Sequence, residues 1–194
     1  MKHLLTQTSC LGIALRERDS YTEDHASRVE ILSHKLGIKC GLGSRELSVL
    51  RGAAKLHDIG KIGIPDRVLL KFGSLETDEW EVMKTHSELG ERICQSIAHQ
   101  DAEQIAGIVR HHHEHFNGGG YPDALSGEDI PICSRIISIV DSYDAMKTAR
   151  PYHPARTHHE VMEIIENECG KKTDPTVYKY FQSIIASKEQ ISAY

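Results

Sequence analysis

Apolar residues recur three and four positions apart along almost the whole chain, and no stretch alternates apolar with polar residues for long enough to make a strand. That period commits the chain to an all-α fold, a helical bundle read as one domain over residues 1–194. Helices are expected at 4–18, 22–36, 44–57, 77–97, 101–115, 132–147, 158–168 and 175–186. Ser44 and Thr77 stand where side-chain oxygens would cap free N–H groups. Gly37, Gly60 and Gly170 follow apolar runs, where a left-handed residue closes a helix. The segments IGIPDRVLLKFGSL and FNGGGYPDALSGEDIP collect Gly and Pro and read as loops between helices, not as linkers between domains.

The same period exposes what interrupts the apolar stripes. Residues three and four apart share a helix face, so a polar residue in register with a stripe points at the core. His25 is in register with Val29, Leu32 and Leu36; His57 with Leu47, Leu50 and Ala54; His86 with Val82, Leu89, Ile93 and Ile97. His112 follows Ile105 and Val109 with His113 beside it, and Asp141 stands between Ile137 and Ala145. Any one of these alone is most economically a hydrogen-bonded core residue. Five helices that aim only His or Asp inward are hard to explain as stability, because each buried polar group costs free energy unless it is paired. Metal coordination would satisfy all of them together. Imidazole and carboxylate without thiolate suit iron(II), manganese or zinc. His25, His57, Asp58, His86, His112, His113 and Asp141 are too many for one ion and suit two, with Asp58 able to bridge through its two oxygens. Two divalent ions roughly 3.5–4 Å apart activate water as hydroxide and stabilise the entering and leaving oxygens of a displacement at phosphorus, which favours phosphoester hydrolysis.

Composition narrows the partners. A formal net charge of −5 disfavours a duplex nucleic-acid surface, which is built from Lys and Arg, while a small anion can still be held by a local metal. The five cysteines are scattered without a CxxC pair, which indicates neither a disulfide framework nor a thiolate zinc site. No run of about eighteen apolar residues and no leader pattern is present, so the chain reads as cytoplasmic without membrane insertion.

LHDIGKIGIP around His57 and Asp58, followed by HHEHFNGGGYP at 112–122, resembles the HD-GYP domain, a branch of the HD superfamily of metal-dependent phosphohydrolases. RDSYTEDHASRV, KTHSELG around His86, SRIISIVDSYDAM around Asp141 and ARPYH around Arg150 extend the resemblance over about 18–155, with C-terminal helices at 158–186 packing on it. The resemblance implies an HD-superfamily helical bundle that hydrolyses the bacterial second messenger cyclic di-GMP to pGpG, and in some members to GMP. It makes the seven residues above metal ligands. It gives Lys61 contact with the scissile phosphate and help to the departing oxygen, and Arg150 the other phosphate or guanine region. The loop carrying Tyr121 would shape the face for substrate and for protein partners. Read without the family, Lys61 is equally a charge complementing a helix end, and Tyr121 and Pro122 buttress a turn.

Three positions depart from the family pattern. Some members carry a glutamate four residues before the position of His25 that helps hold a third metal; here it is Tyr21, and Glu23 lies roughly 200° around the helix from His25. Two metals are therefore expected. Asn117 replaces a common aspartate, and Asn-Gly supports the same left-handed turn. His111 extends the histidine pair to three and, with His115, is assigned to the surface. Cyclic GMP-AMP or another nucleotide phosphoester is the alternative substrate. A silent metal-binding signalling module and a di-iron oxygen-activating enzyme are the alternatives from other classes.

Overall fold

The structure is a computed structural model that describes residues 11–13, 15, 18, 22–148 and 155–192. Tyr21 and Arg150, and with them the expectations about a third metal and a second phosphate contact, lie outside the described residues. The longer helices are α1 (Thr22–Lys39), α2 (Ser44–Leu56), α4 (Thr77–Lys84), α5 (His86–Gln95), α6 (Ala102–Arg110), α7 (Ile132–Lys147), α8 (His158–Asn167) and α9 (Pro175–Ser192). A 3-10 segment (Ile59–Gly63) leads into the first predicted loop, which holds the four-residue α3 (Asp66–Leu69). Among the described residues, β pairing is limited to two isolated bridges, Asn117 with Ser126 and Cys169 with Thr173. No helix among them is long and apolar enough to cross a membrane.

The apolar stripes form one core. α1 lies against α2 and α7, α2 against α6, and α6 against α5, with Leu36, Leu50, Ile105, Ile136 and Ile137 fully buried between them. The two C-terminal helices cover this core, and the Phe181 ring meets the edge of Tyr143 on α7 at 5.3 Å.

Several local expectations need correction. The helix expected over 77–97 is two helices. Thr85 carries φ −65° and ψ −11°, and its hydroxyl donates to the Val82 carbonyl at 2.7 Å, a side-chain bond that competes with the helical ladder and lets the chain turn. Ser44 and Thr77 do not cap their helices. Instead Glu46 and Glu79 reach back to accept from the N–H groups of Gly43 and Glu76, each at 2.8 Å. α1 continues through Gly37 to Lys39, and Gly41, at φ +82°, is the left-handed residue that follows it. Gly60 is not a left-handed stop either. A Cβ there would lie 1.8 Å from the His86 carbonyl oxygen, so its bare backbone is what lets the 3-10 segment press against the start of α5. That contact sets His57 and Asp58 beside His86.

Candidate metal centre

Three of the inward histidines share one local device. His57 follows the last residue of α2, His86 comes two residues after the end of α4, and His112 two residues after the end of α6. The last carbonyls of a helix have no N–H partner within it. In each case the imidazole Nδ1–H donates to the carbonyl three residues back: Ala54 at 2.8 Å, Met83 at 2.8 Å and Val109 at 2.6 Å. This fixes the tautomer that leaves Nε2 as a bare lone pair turned inward.

His57 Nε2, His86 Nε2 and His112 Nε2 are all buried, and none has a hydrogen-bond partner. An unmatched buried polar atom costs about 1–3 kcal/mol, and three side by side are what a metal site with neutral imidazole ligands looks like from the protein's side. The donor atoms fall into two groups, each within 4.8 Å of one another: His86, His112 and His113 in one, His25, His57 and Asp141 in the other. Asp58 lies between them. Its Oδ2 is 3.5 Å from His57 Nε2 and its Oδ1 is 3.7 Å from His86 Nε2, so one oxygen faces each group. Its carboxylate caps nothing in the 3-10 segment that it precedes. All seven residues predicted as ligands thus converge on one place.

The electrostatics differ across Asp58. Burial, reinforced by the neighbouring rings, pushes His112 down to about 3 and holds His86 and His113 below the ordinary imidazole value. His25 goes the other way. Burial lowers its affinity for a proton, but Asp141 at 3.0 Å from Nε2 and Asp144 at 2.7 Å from Nδ1 outweigh burial and raise it to about 9. Asp58 is opposed by burial too, yet the Lys61 ammonium 2.7 Å from Oδ2 and the surrounding histidines hold it well below the usual carboxylate range. Burial likewise opposes ionisation of Asp141, and His25 and His57 hold that carboxyl low.

Two functional positions escaped the sequence reading. Asp144, three residues after Asp141 on α7, orients His25 through Nδ1, and Arg28, three residues after His25 on α1, grips Asp144 with Nε at 2.8 Å and Nη2 at 2.9 Å. The spacing was the available signal, since i and i+3 share a face.

The glycine-rich loop leans on the first group. Tyr121 stacks on His113 at 4.9 Å between ring centres, with Lys84 Nζ 5.8 Å from its own centre. Asn117 Oδ1 accepts from the Gly119 N–H at 3.0 Å and Gly118 takes φ +82°, so the turn forms with Asn in place of Asp. Arg110 holds the loop's end by two bonds of 2.7 Å to Asp123, and Glu114 accepts from the Asp123 N–H at 2.7 Å. His111 and His115, expected on the surface, are both half-buried. His111 joins the clamp through Nε2 at 2.8 Å from Asp123, because it follows directly on the helix that carries Arg110.

A cavity of about 470 Å³ opens onto this centre. The buried His25, Asp58 and His86 mark its inner end, with Lys61, His113 and Asp141 beside them, the exposed Trp80 marks its outer part, and Leu69, Leu75, Met83 and Tyr121 also line it. The volume lies in the range of small-molecule sites.

The HD domain family profile matches residues 11–177. The chain is 40% identical over 171 residues to a cyclic di-GMP phosphodiesterase of Thermotoga maritima, covering 88% of this chain and 46% of that protein. It is 34% identical over 165 residues to a 3'3'-cGAMP-specific phosphodiesterase of Vibrio cholerae, covering 85% and 32%. The chain thus spans less than half the length of either. Among solved structures, a cyclic GMP-AMP-specific phosphodiesterase of V. cholerae superposes with a TM-score of 0.68 at 20% identity, covering 87% of this chain and 45% of that one, which supports the fold.

Proposed function

The chain belongs to the HD domain family, and from that membership we propose that it is a metal-dependent phosphodiesterase that opens cyclic di-GMP to pGpG. The observation that carries this reading is the trio of buried, unpartnered Nε2 atoms of His57, His86 and His112 around Asp58, at the inner end of a cavity that Lys61 also lines. The seven residues, none a thiolate, would suit two ions, iron(II) or manganese ahead of zinc, with one Asp58 oxygen facing each group of donors. When bound, such ions supply Lewis acidity that generates the nucleophile at neutral pH and stabilises the entering and leaving oxygens at phosphorus.

The chain's own groups do the rest. Asp58 enters the reaction ionised, held so by Lys61 and the histidines despite its burial. Lys61 Nζ offers a positive charge to a phosphate oxygen and a proton to the departing one. Tyr121, with its ring against His113, holds that imidazole in place, a positioning role in addition to lining the cavity. Arg150 is retained as the second phosphate contact on the motif alone. We read residues 1–194 as one catalytic unit whose glycine-rich loop also offers a face to protein partners. Cyclic GMP-AMP is the competing substrate, favoured by the specificity of the V. cholerae relative.

The test is metal analysis of anaerobically purified protein together with product analysis on cyclic di-GMP and cyclic GMP-AMP under manganese or iron(II). Two equivalents of metal and release of pGpG are expected. Metal-loaded protein that turns over neither dinucleotide would refute the assignment.

A further inference from the structure

The cavity has two chemically unlike ends. The inner end carries metal ligands and Lys61, the exposed Trp80 marks the outer part, and Leu69, Leu75 and Met83 also line the cavity. Trp80 lies on α4, a helix with no buried residue at all, and is 46% exposed. A large aromatic ring left open to water on a helix without a core of its own needs another reason to be there. Tyr121 does not supply the same surface, because one face of its ring is stacked on His113, and Trp80 meets it edge-on with ring centres 6.3 Å apart. Of the described Trp and Tyr rings that line the cavity, Trp80 is thus the more exposed to a flat ligand.

We propose that Trp80, backed by Leu69, Leu75 and Met83, is a nucleobase-stacking wall that holds a base of the phosphoester bound at the inner end. The proposal rests on the phosphate-site reading of that inner end. A molecule that joins a phosphate to a flat aromatic base has the same polarity as the cavity, anionic where the cationic and metal-ligating groups lie and apolar where Trp80 lies. Stacking on an aromatic side chain suits every base, so this wall contributes affinity and leaves the choice of base to other contacts.

Trp80 is the single tryptophan of the chain, so its emission reports on this wall alone. The experiment titrates the manganese-loaded full chain with GMP and, separately, with ribose 5-phosphate, which has the same phosphate and no base. Binding is followed by calorimetry and by tryptophan fluorescence. GMP is expected to quench the emission and ribose 5-phosphate to bind more weakly without quenching. Trp80→Ala should weaken GMP roughly 5- to 150-fold, the span of one base–aromatic stack. It should leave metal content and ribose 5-phosphate affinity unchanged, and Trp80→Phe should restore most of the loss. Equal responses to the two ligands, no GMP binding at millimolar concentration, or a Trp80→Ala variant within twofold of wild type would each overturn the wall. Failure of cyclic-dinucleotide turnover in the separate product assay counts against the phosphodiesterase assignment, not against the wall.

Discussion

On one side of Asp58, His86 and His112 are aimed by backbone carbonyls at helix ends, and burial keeps the group free of protons. On the other side, His25 is aimed by the carboxylate of Asp144, itself gripped by Arg28, and carries a proton between two acids. The first group is preorganised by the fold and needs no side chain to aim these two imidazoles. The second shares that device at His57, but at His25 it depends on a chain of three side chains from two helices, and His25 must lose a proton before a cation can take its place. The main-chain route thus serves both groups and the electrostatic route only the second, through His25, so the two groups should fail differently.

The harshest break is one that removes the difference by taking both groups down together. Asp58→Ala deletes a carboxylate that faces both, 3.5 Å from His57 Nε2 and 3.7 Å from His86 Nε2. Metal analysis should fall below one equivalent, and turnover of cyclic di-GMP should drop about 10³-fold or more, since Lewis-acid stabilisation amounts to several kcal/mol. Single-site variants sharpen the contrast. His113→Ala should retain metal at the His25 group, and His25→Ala at the His86 group. Loss of all metal from either would show the groups to be one site.

Acid should separate the two groups next. His25, raised to about 9, is protonated in the metal-free protein at pH 7, so a cation entering there displaces about one proton and its affinity falls roughly tenfold per unit as pH drops below 9. His112, lowered to about 3, with His86 and His113 also lowered, carries no proton near neutrality, so the other group should be nearly flat from pH 8 to 6. Calorimetry of manganese binding to His113→Ala and to His25→Ala, in two buffers of different ionisation enthalpy, reads the proton directly. Equal proton release from both variants would contradict the asymmetry.

These residues were legible to different degrees, for physical reasons. His25, His57, His86, His112 and Asp141 could be read because helical register is local and an inward polar residue breaks a visible stripe. The aim of the imidazoles was not legible. It depends on where a helix ends to within one residue, and the turn at Thr85 that places His86 after a helix end was hidden inside what reads as one continuous helix. Asp144 and Arg28 sat at the right spacing, but a charged residue at the edge of a stripe looks the same whether it meets solvent or a partner across the bundle. Trp80 could not be placed, because the wall it forms exists only when α3, α4 and the glycine-rich loop come together.

The next smaller effect tests the second route at its middle member. Asp144→Asn keeps an oxygen to accept from His25 Nδ1 and removes the charge that helps hold the proton. Metal affinity of the His25 group should fall about 10- to 100-fold at high pH, the usual consequence of losing an orienting carboxylate. Its pH dependence should shrink, because the lower proton affinity of His25 moves the competition toward acid. The His86 group should be unaffected.

Arg28 should give the smallest change, and its direction separates geometry from charge. Its guanidinium makes two bonds to Asp144 and a third, at 3.2 Å, to the Thr148 hydroxyl, but its side chain is 41% exposed, so solvent screens much of the pairing. An ion pair at such a position is worth roughly 0.2–1 kcal/mol, which bounds the effect of Arg28→Ala on metal affinity at the His25 group to about fivefold. If Arg28 acts by fixing the plane of the Asp144 carboxylate, Arg28→Lys should lose nearly as much, because a single ammonium cannot hold both oxygens in one plane. If it acts only as a positive charge, Arg28→Lys should match wild type. In that case the His25 group is set by local charge balance alone, and the side-chain route reduces to a two-residue pair of His25 and Asp144. Manganese titration of both variants, with the His86 group deleted by His113→Ala, isolates the difference.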